Sequence, residues 1–293
     1  MPEGKIIKAL SGFYYVLDGN ETIQCRGRGI FRKNKITPLV GDHVVYQADN
    51  PTEGYLMEIK ERKNELIRPP IANVDQAILV FSAVEPDFST TLLDRFLVLI
   101  EDNEIEPIIC ISKMDIVPDA DRSRLEEYVK YYAAIGYTVL TTSSVSSEGT
   151  KVLQPYLQEK TSVFAGQSGV GKSSLLNAIN PELELKTDDI SSHLGRGKHT
   201  TRHVELIHIG TGLVADTPGF SALEFLEMEV ERLSYCFPEI YKTGEKCKFR
   251  GCLHDKEPKC AVKEAVETGD IRQYRYDHYM QFLEEIKERK PRY

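Results

Sequence analysis

Three changes of residue pattern predict a multidomain chain: an N-terminal β-barrel, a central α/β domain built on an open and mostly parallel sheet, and a C-terminal, mostly helical metal-binding domain. Five short strand-like runs crowd the first segment, near-continuous apolar runs alternate with helix-spaced ones in the second, and three cysteines and a histidine fall within 14 residues in the third. The 293 residues are enough for two or three domains at the usual ~100–200 residues each. The expected boundaries are 1–68, 69–226 and 227–293.

In the first segment Lys5–Leu10, Phe13–Leu17, Thr22–Arg26, His43–Gln47 and Tyr55–Ile59 read as strands, divided by turn residues such as Asp18-Gly19-Asn20. Five strands in so short a stretch suggest a small closed barrel, such as an OB-fold. Arg26 through Lys35 lies between two of them and reads as a basic loop, carrying Arg26, Arg28, Arg32, Lys33 and Lys35. A solvated loop is one reading; a basic loop on a barrel with exposed aromatics is also how such folds hold oligonucleotides. Arg68-Pro69-Pro70 reads as a linker.

From Asp75 the pattern changes. Ala77–Phe81 and Pro107–Ile111 are near-continuous apolar runs, as in strands buried on both faces. Leu92, Leu93, Phe96, Leu97 and Ile100 between them recur at helical spacing. Tyr137–Leu140 and Ser162–Ala165 continue the strands, and Leu125–Ile135 and Val152–Leu157 the helices. The alternation predicts a parallel α/β sheet. Beyond Leu226 the chain turns polar and helical, and its last stretch, Tyr279 through Lys290, puts Met280, Phe282, Leu283 and Ile286 on one face.

Gly166-Gln167-Ser168-Gly169-Val170-Gly171-Lys172-Ser173 matches G-x-x-x-x-G-K-[ST], with a strand before it and a helix from Ser174 after it. That context makes the motif a phosphate loop. Its glycines let backbone N–H groups turn inward, and the helix N-terminus adds its positive end. Lys172 would bridge β- and γ-phosphates and the Ser173 hydroxyl would bind Mg²⁺. Asp216-Thr217-Pro218-Gly219 follows the apolar strand Gly212–Ala215, 44 residues beyond Lys172. Asp216 is placed to hold the same Mg²⁺, and the Gly219 N–H to meet the γ-phosphate. Between the two motifs lies Gly195–His203, a basic loop in which Thr200 or Thr201 would complete the Mg²⁺ shell; a plain solvent loop is the alternative.

Ser112-Lys113-Met114-Asp115 ends a buried strand and resembles the guanine-reading N-K-x-D, with Ser where Asn is usual. Asp115 would accept from the guanine ring N–H and exocyclic amine, a donor pair that adenine lacks. Thr142-Ser143-Ser144, after the next strand, resembles the loop whose backbone meets the guanine oxygen. Ser143, Ser144 and the whole 112–115 and 166–174 stretches are therefore the candidate nucleotide ligands.

Cys247-x4-Cys252-x-His254-x5-Cys260 supplies three thiolates and an imidazole, a closed tetrahedral set. One structural Zn²⁺ per chain is expected. Cys25, Cys110 and Cys236 have no such neighbours and read as small buried residues.

Net charge is −8, unevenly spread: residues 1–70 and 247–293 each carry 11 Lys/Arg against 9 Asp/Glu, while residues 71–246 carry 15 against 27. An RNA partner is thus allowed at the ends and disfavoured along the middle. No apolar run approaches the ~20 residues of a membrane helix, and Met1-Pro2-Glu3-Gly4 does not begin a signal peptide. A cytoplasmic protein with no membrane partner is expected.

The nucleotide motifs are complete but rotated in order, the guanine motif preceding the phosphate loop. With the barrel and the cysteine cluster, the chain resembles the circularly permuted GTPases, and among them the ribosome small-subunit-dependent GTPase family (RsgA/YjeQ), along essentially its whole length. The resemblance implies GTP hydrolysis (GTP and GDP as ligands, Mg²⁺ as cofactor), stimulated by the small ribosomal subunit and its rRNA and coupled to release in late subunit assembly, by a monomer. Many G proteins carry Gln after the Gly of D-x-x-G; here Phe220 stands there. The resemblance implies His199 as the catalytic substitute, with Lys172 and Gly219 beside the γ-phosphate. The rival readings are an RNA-binding protein with a vestigial or purely regulatory nucleotide site, and a P-loop ATPase or kinase.

Overall fold

The computed structural model describes residues 1–143, 151–183, 204–216, 223–225 and 227–289, with side chains omitted at Glu182 and Asp216. The barrel is formed by β1 (Glu3–Leu10), β2 (Phe13–Asp18), β3 (Glu21–Gly27), β4 (His43–Ala48) and β5 (Gly54–Ile59). Antiparallel pairs β1–β2, β2–β3, β4–β5 and β1–β4, with a parallel β3–β5 pair, close it without a free edge. Ile6, Val16, Ile23, Cys25, Val44 and Leu56 fill its interior. The five expected strands are all present.

Two readings of this region change. The basic stretch after β3 is not wholly loop, because α1 (Gly29–Lys33) forms within it, seated by buried Phe31. Arg68-Pro69-Pro70 is not a linker: β6 (Glu65–Ile67) and β7 (Pro70–Ala72) pair as a hairpin. Leu66 and Ile71 are buried there, and Ile71 bridges Val40. Gly41, at φ 92°, lies so close to this hairpin that a Cβ would sit 1.9 Å from the Ala72 carbonyl oxygen.

The central domain follows as β8 (Gln76–Ser82), α2 (Thr90–Asp102), β9 (Glu106–Ser112), α3 (Asp119–Ala134), β10 (Thr138–Thr141), β11 (Thr161–Ala165), α4 (Lys172–Ile179), β12 (Glu205–Ile209) and β13 (Gly212–Asp216). The expected helix at Val152–Leu157 is a single 3-10 turn, Gln154–Leu157. Strand order is β10-β9-β8-β11-β13-β12, parallel except at β12. Successive residues of a strand face opposite sides. Ala77, Leu79 and Phe81 accordingly pack with α2 and α3, while Ile78 and Val80 pack with Leu175 and Leu176 of α4. Every residue of β8 is buried for this reason.

β12 also pairs with β1, at Lys8–Glu205, so barrel and central sheet run into one another as a single 11-stranded sheet. Lys5 Nζ adds a 2.7 Å bond to Thr161 Oγ1 on β11.

The C-terminal part comprises a 3-10 segment (Val230–Cys236), α5 (Pro238–Gly244), α6 (Ala261–Thr268) and α7 (Gln273–Glu288). Phe225, Phe237, Tyr279, Phe282 and Ile286 form its core with Val98 of α2. A buried polar cluster also joins it to α2. Arg275 donates to Asp94 at 2.5 Å and to Glu239 at 2.6 and 3.1 Å. Tyr132 donates to Asp94 at 2.5 Å, and His278 Nδ1 lies 2.6 Å from the same carboxylate. Asp94 and Arg275 have no exposed surface.

Candidate nucleotide site and metal centre

β11, β8 and β9 end side by side, and the loops leaving such carboxyl ends are where open α/β sheets bind ligands. The loop after β11 is shaped by its glycines. Gly166 has φ 143°, and a Cβ there would fall 2.1 Å from the Val80 carbonyl oxygen. Gly169 and Gly171 have φ of 80° and 95°, and Gly171 caps α4. Gln167, Ser168 and Gly169 are exposed, while Val170, Lys172 and Ser173 are buried and Ser174 half-buried. Lys172 Nζ donates to the carbonyls of Gly166 at 2.8 Å and Gln167 at 2.6 Å. Burial pushes its ammonium down to about 8. The lysine thus folds back over its own loop, its ammonium held by two backbone carbonyls.

The guanine-like motif stands beside this loop and is bonded to it. Ser112 Oγ, buried, lies 2.6 Å from the Val170 carbonyl and 3.2 Å from that of Phe81. The short hydroxyl reaches the phosphate loop from the end of β9, so the missing Asn leaves the two motifs still joined. Lys113 adopts a left-handed conformation (φ 61°), which turns the chain out of the strand and into the Met114–Ile116 3-10 turn. Its ammonium donates to the Glu85 carbonyl. Asp115 is exposed, its carboxylate open to solvent at the strand ends. Thr142 and Ser143 are buried at the end of β10, and the Met114 N–H donates to Thr142 O at 3.3 Å.

Asp216 ends β13, paired in register with Glu205. Its side chain, and Ser144, His199, Thr200, Thr201, Gly219 and Phe220, lie outside the described atoms.

Arg26, Arg28, Arg32, Lys33 and Lys35 are exposed on one short stretch of the barrel, the Arg26 guanidinium 4.9 Å over the Phe13 ring. Exposed Ile30 and Ile36 lie among them.

The ligand atoms of Cys247, Cys252, His254 and Cys260 all fall within 4.8 Å of one another. His254 presents Nδ1, 3.3 Å from Cys260 Sγ and 3.6 Å from Cys247 Sγ. Three sulfurs and one nitrogen at this spacing fit a tetrahedral metal. Without one, burial and the neighbouring sulfurs push the Cys252 thiol up to about 12. His254 takes φ 60°, and Gly244 lets its ring approach: a Cβ there would be 3.1 Å from Cε1.

Sequence reading missed what holds this loop. Glu257 accepts from the Leu253 and Asp255 N–H groups at 2.9 and 3.0 Å, while Tyr276 and Tyr279 of α7 donate to the carbonyls of His254 and Leu253. The only available signal was two tyrosines spaced three apart on a helix, which fits any packed face. Cys25, Cys110 and Cys236 are buried, as expected, and Cys236 shares the C-terminal core with Cys260 without joining the four-residue group.

The N-terminal domain model of the RsgA family matches residues 3–56 and the RsgA GTPase model residues 59–226. A Bacillus subtilis relative, the small ribosomal subunit biogenesis GTPase RsgA, is 70% identical, with both chains covered completely. A Bacillus cereus protein of the same description is also 70% identical over both full chains. Among solved structures, YloQ, described as a circularly permuted GTPase, is 64% identical with a TM-score of 0.87, covering 100% of this chain and 97% of its own. YjeQ from Thermotoga maritima is 39% identical with a TM-score of 0.88 and 99% coverage of both chains. Barrel, rotated nucleotide motifs and cysteine cluster agree with these likenesses from end to end, and the chain belongs to the RsgA family of circularly permuted GTPases.

Proposed function

We infer that the chain binds the small ribosomal subunit late in its assembly, that contact with the subunit accelerates GTP hydrolysis, and that hydrolysis is coupled to release. The observation that carries this reading is the joined site: the phosphate loop and the guanine motif share the Ser112–Val170 bond, on a chain 70% identical throughout to proteins described as subunit-biogenesis GTPases. Such a role places the work in the cytoplasm.

In this reading Asp115 selects guanine, Lys113 packs its stem on the base, and the Ser143–Ser144 loop meets the guanine oxygen. Residues Gly166 to Ser174 cradle the phosphates through backbone N–H groups at the start of α4. Lys172 exchanges its two loop carbonyls for phosphate oxygens. Ser173, Asp216 and one of Thr200 or Thr201 would hold Mg²⁺, which when bound offsets the charge of the β- and γ-phosphates. Gly219 donates to the γ-phosphate. With Phe220 unable to orient water, His199 takes that part on the subunit. Cys247, Cys252, His254 and Cys260 would hold one Zn²⁺, which keeps the C-terminal fold in place. The basic face from Arg26 to Lys35 meets rRNA.

GTP turnover with and without small subunits is the test. Slow turnover alone, strong stimulation by subunits, and loss of that stimulation in His199→Ala at unchanged GTP affinity are expected, the pattern of a group that acts in the transition state. Rapid turnover by the free chain, or none that responds to subunits, overturns the reading.

A further inference from the structure

Five aromatic side chains are exposed among the described residues, and three of them, Tyr235, Tyr241 and Phe249, line one surface groove of about 620 Å³ beside the cysteine cluster. They are 60%, 44% and 45% exposed. Large rings gathered in the open mark an interaction surface, whereas scattered ones do not. The Tyr235 and Tyr241 rings lie 4.7 Å apart at 36°, and Lys248 Nζ is 5.7 Å from the centre of the Phe249 ring.

Each ring stands on anchored backbone. Tyr235 adjoins buried Cys236, Tyr241 adjoins buried Ile240, and Phe249 lies between Cys247 and Cys252 of the metal cluster. A ligand would therefore find the backbone of the groove already ordered, which lowers the entropy lost on binding.

Charge chooses among the ligands that aromatic grooves take. Residues 241–263 hold seven Lys/Arg against three Asp/Glu, in a chain whose net charge is −8. Lys248 and Arg250 line the groove, are exposed, and have no carboxylate partner among the described residues, while nearby Arg232 and Lys287 are paired with Asp102 and Asp255. Proline-rich peptides use rings but gain nothing from unpaired cations. Duplex RNA uses cations, but its bases are stacked on each other and cannot reach the rings. Single-stranded nucleic acid uses both.

We propose that this groove binds unpaired nucleotides of RNA, with bases stacked on Tyr235, Tyr241 and Phe249 and the backbone held by Lys248 and Arg250. Glu231 and Glu245, which also line it, repel phosphate and accept from base amino groups, so the phosphates keep to the side of the cations. That the RNA is ribosomal rests on the function proposed above; the groove itself does not.

The chain has no tryptophan, so Tyr241→Trp provides a single indole reporter. The full chain, purified without chelator, would be titrated with an unstructured 12-nucleotide oligoribonucleotide (about 12 to span the site sizes of such grooves) and with a duplex of the same sequence. Quenching by the single strand is expected. Tyr235→Ala and Phe249→Ala should each weaken single-strand binding about tenfold, with metal content and GTP affinity unchanged. Lys248→Gln with Arg250→Gln should flatten the log–log salt dependence by roughly 1.4, and the ring variants should leave it alone. Unchanged affinity in the ring variants, equal losses on duplex, or quenching by a proline-rich peptide and not by RNA overturns the proposal. Subunit-stimulated turnover that is normal while the ring variants bind single strands normally removes the groove alone; absent stimulation with intact ring-dependent binding removes only the ribosomal reading.

Discussion

Lys172, proposed above to meet the phosphates, is already held in place by its own loop. Its ammonium is buried against two carbonyls and pushed down to about 8, because those dipoles replace water only in part. Above that pH the free side chain is increasingly neutral, and binding a phosphate, which favours the charged form, must draw in a proton. Calorimetry at pH 8.5 in buffers of different ionisation enthalpy should register proton uptake on GTP binding, absent in Lys172→Ala. The same variant should lose about 2–3 kcal/mol of GTP affinity with its circular dichroism unchanged. Ser112 makes a second prediction. Removing its hydroxyl in Ser112→Ala breaks the bond to the Val170 carbonyl and loosens the phosphate loop against the guanine motif, costing about 1–2 kcal/mol in GDP affinity. A fluorescent GDP analogue bound as tightly by Ser112→Ala as by the parent would show the bond to be idle.

At the scale of elements, the metal loop and α7 depend on each other. The loop from Cys247 to Cys260 has few buried apolar residues; the Glu257 carboxylate and two tyrosines of α7 hold it, around four side chains placed to share one metal. Elemental analysis should find one zinc per chain, and Cys252→Ser should abolish it. Hydrogen exchange should then rise in residues 247–260 and in the α7 turns that carry Tyr276 and Tyr279, while α4 stays protected. Metal retained by Cys252→Ser would contradict the ligand set. The basic stretch of the barrel shows the opposite dependence. α1 is short and holds its place because Phe31 is buried, so its cations sit on a defined surface, not on a wandering loop.

Over the whole molecule, the contacts that unite what the sequence presents as three domains differ in kind, and two of them show the range. β1 meets β12, which makes one sheet of barrel and central domain, through a single registered pair and the 2.8 Å Lys8–Glu205 bridge. Both partners of that bridge are more than one-third exposed, so it contributes little by itself. The Asp94–Arg275 cluster is different, being fully desolvated. Arg275→Met would leave Asp94 and Glu239 without their cation and should destabilise the chain by about 3–5 kcal/mol, seen in urea as a lower midpoint for the C-terminal part and α2 together. A midpoint within experimental error of the parent would show that the two parts are held by apolar packing and their other polar contacts, such as Arg95–Glu285 and Arg232–Asp102, without need of Arg275.

Legibility in the sequence followed the range of the interactions. Gly166–Ser173, Ser112–Asp115 and Cys247–Cys260 were readable because each gathers its donors within 4–14 consecutive residues, where chain geometry alone limits the arrangements. The strands were readable because burial on one or two faces writes a period of two or a continuous apolar run. The hairpin at Arg68–Pro70 was misread as a linker because its stability comes from Leu66 and Ile71 packing against residues such as Val40, not from its own composition. Asp94 and Arg275 stand 181 positions apart, and each alone looks like any surface charge on a helix. Nor does spacing reveal that Ser112 touches Val170 or that Tyr235, Tyr241 and Phe249 share a groove. Local chemistry was determined by the sequence by itself. Which charges are buried, which motifs touch and which rings stay open was decided only by tertiary structure, because desolvation and pairing between distant residues depend on what the folded chain brings against them.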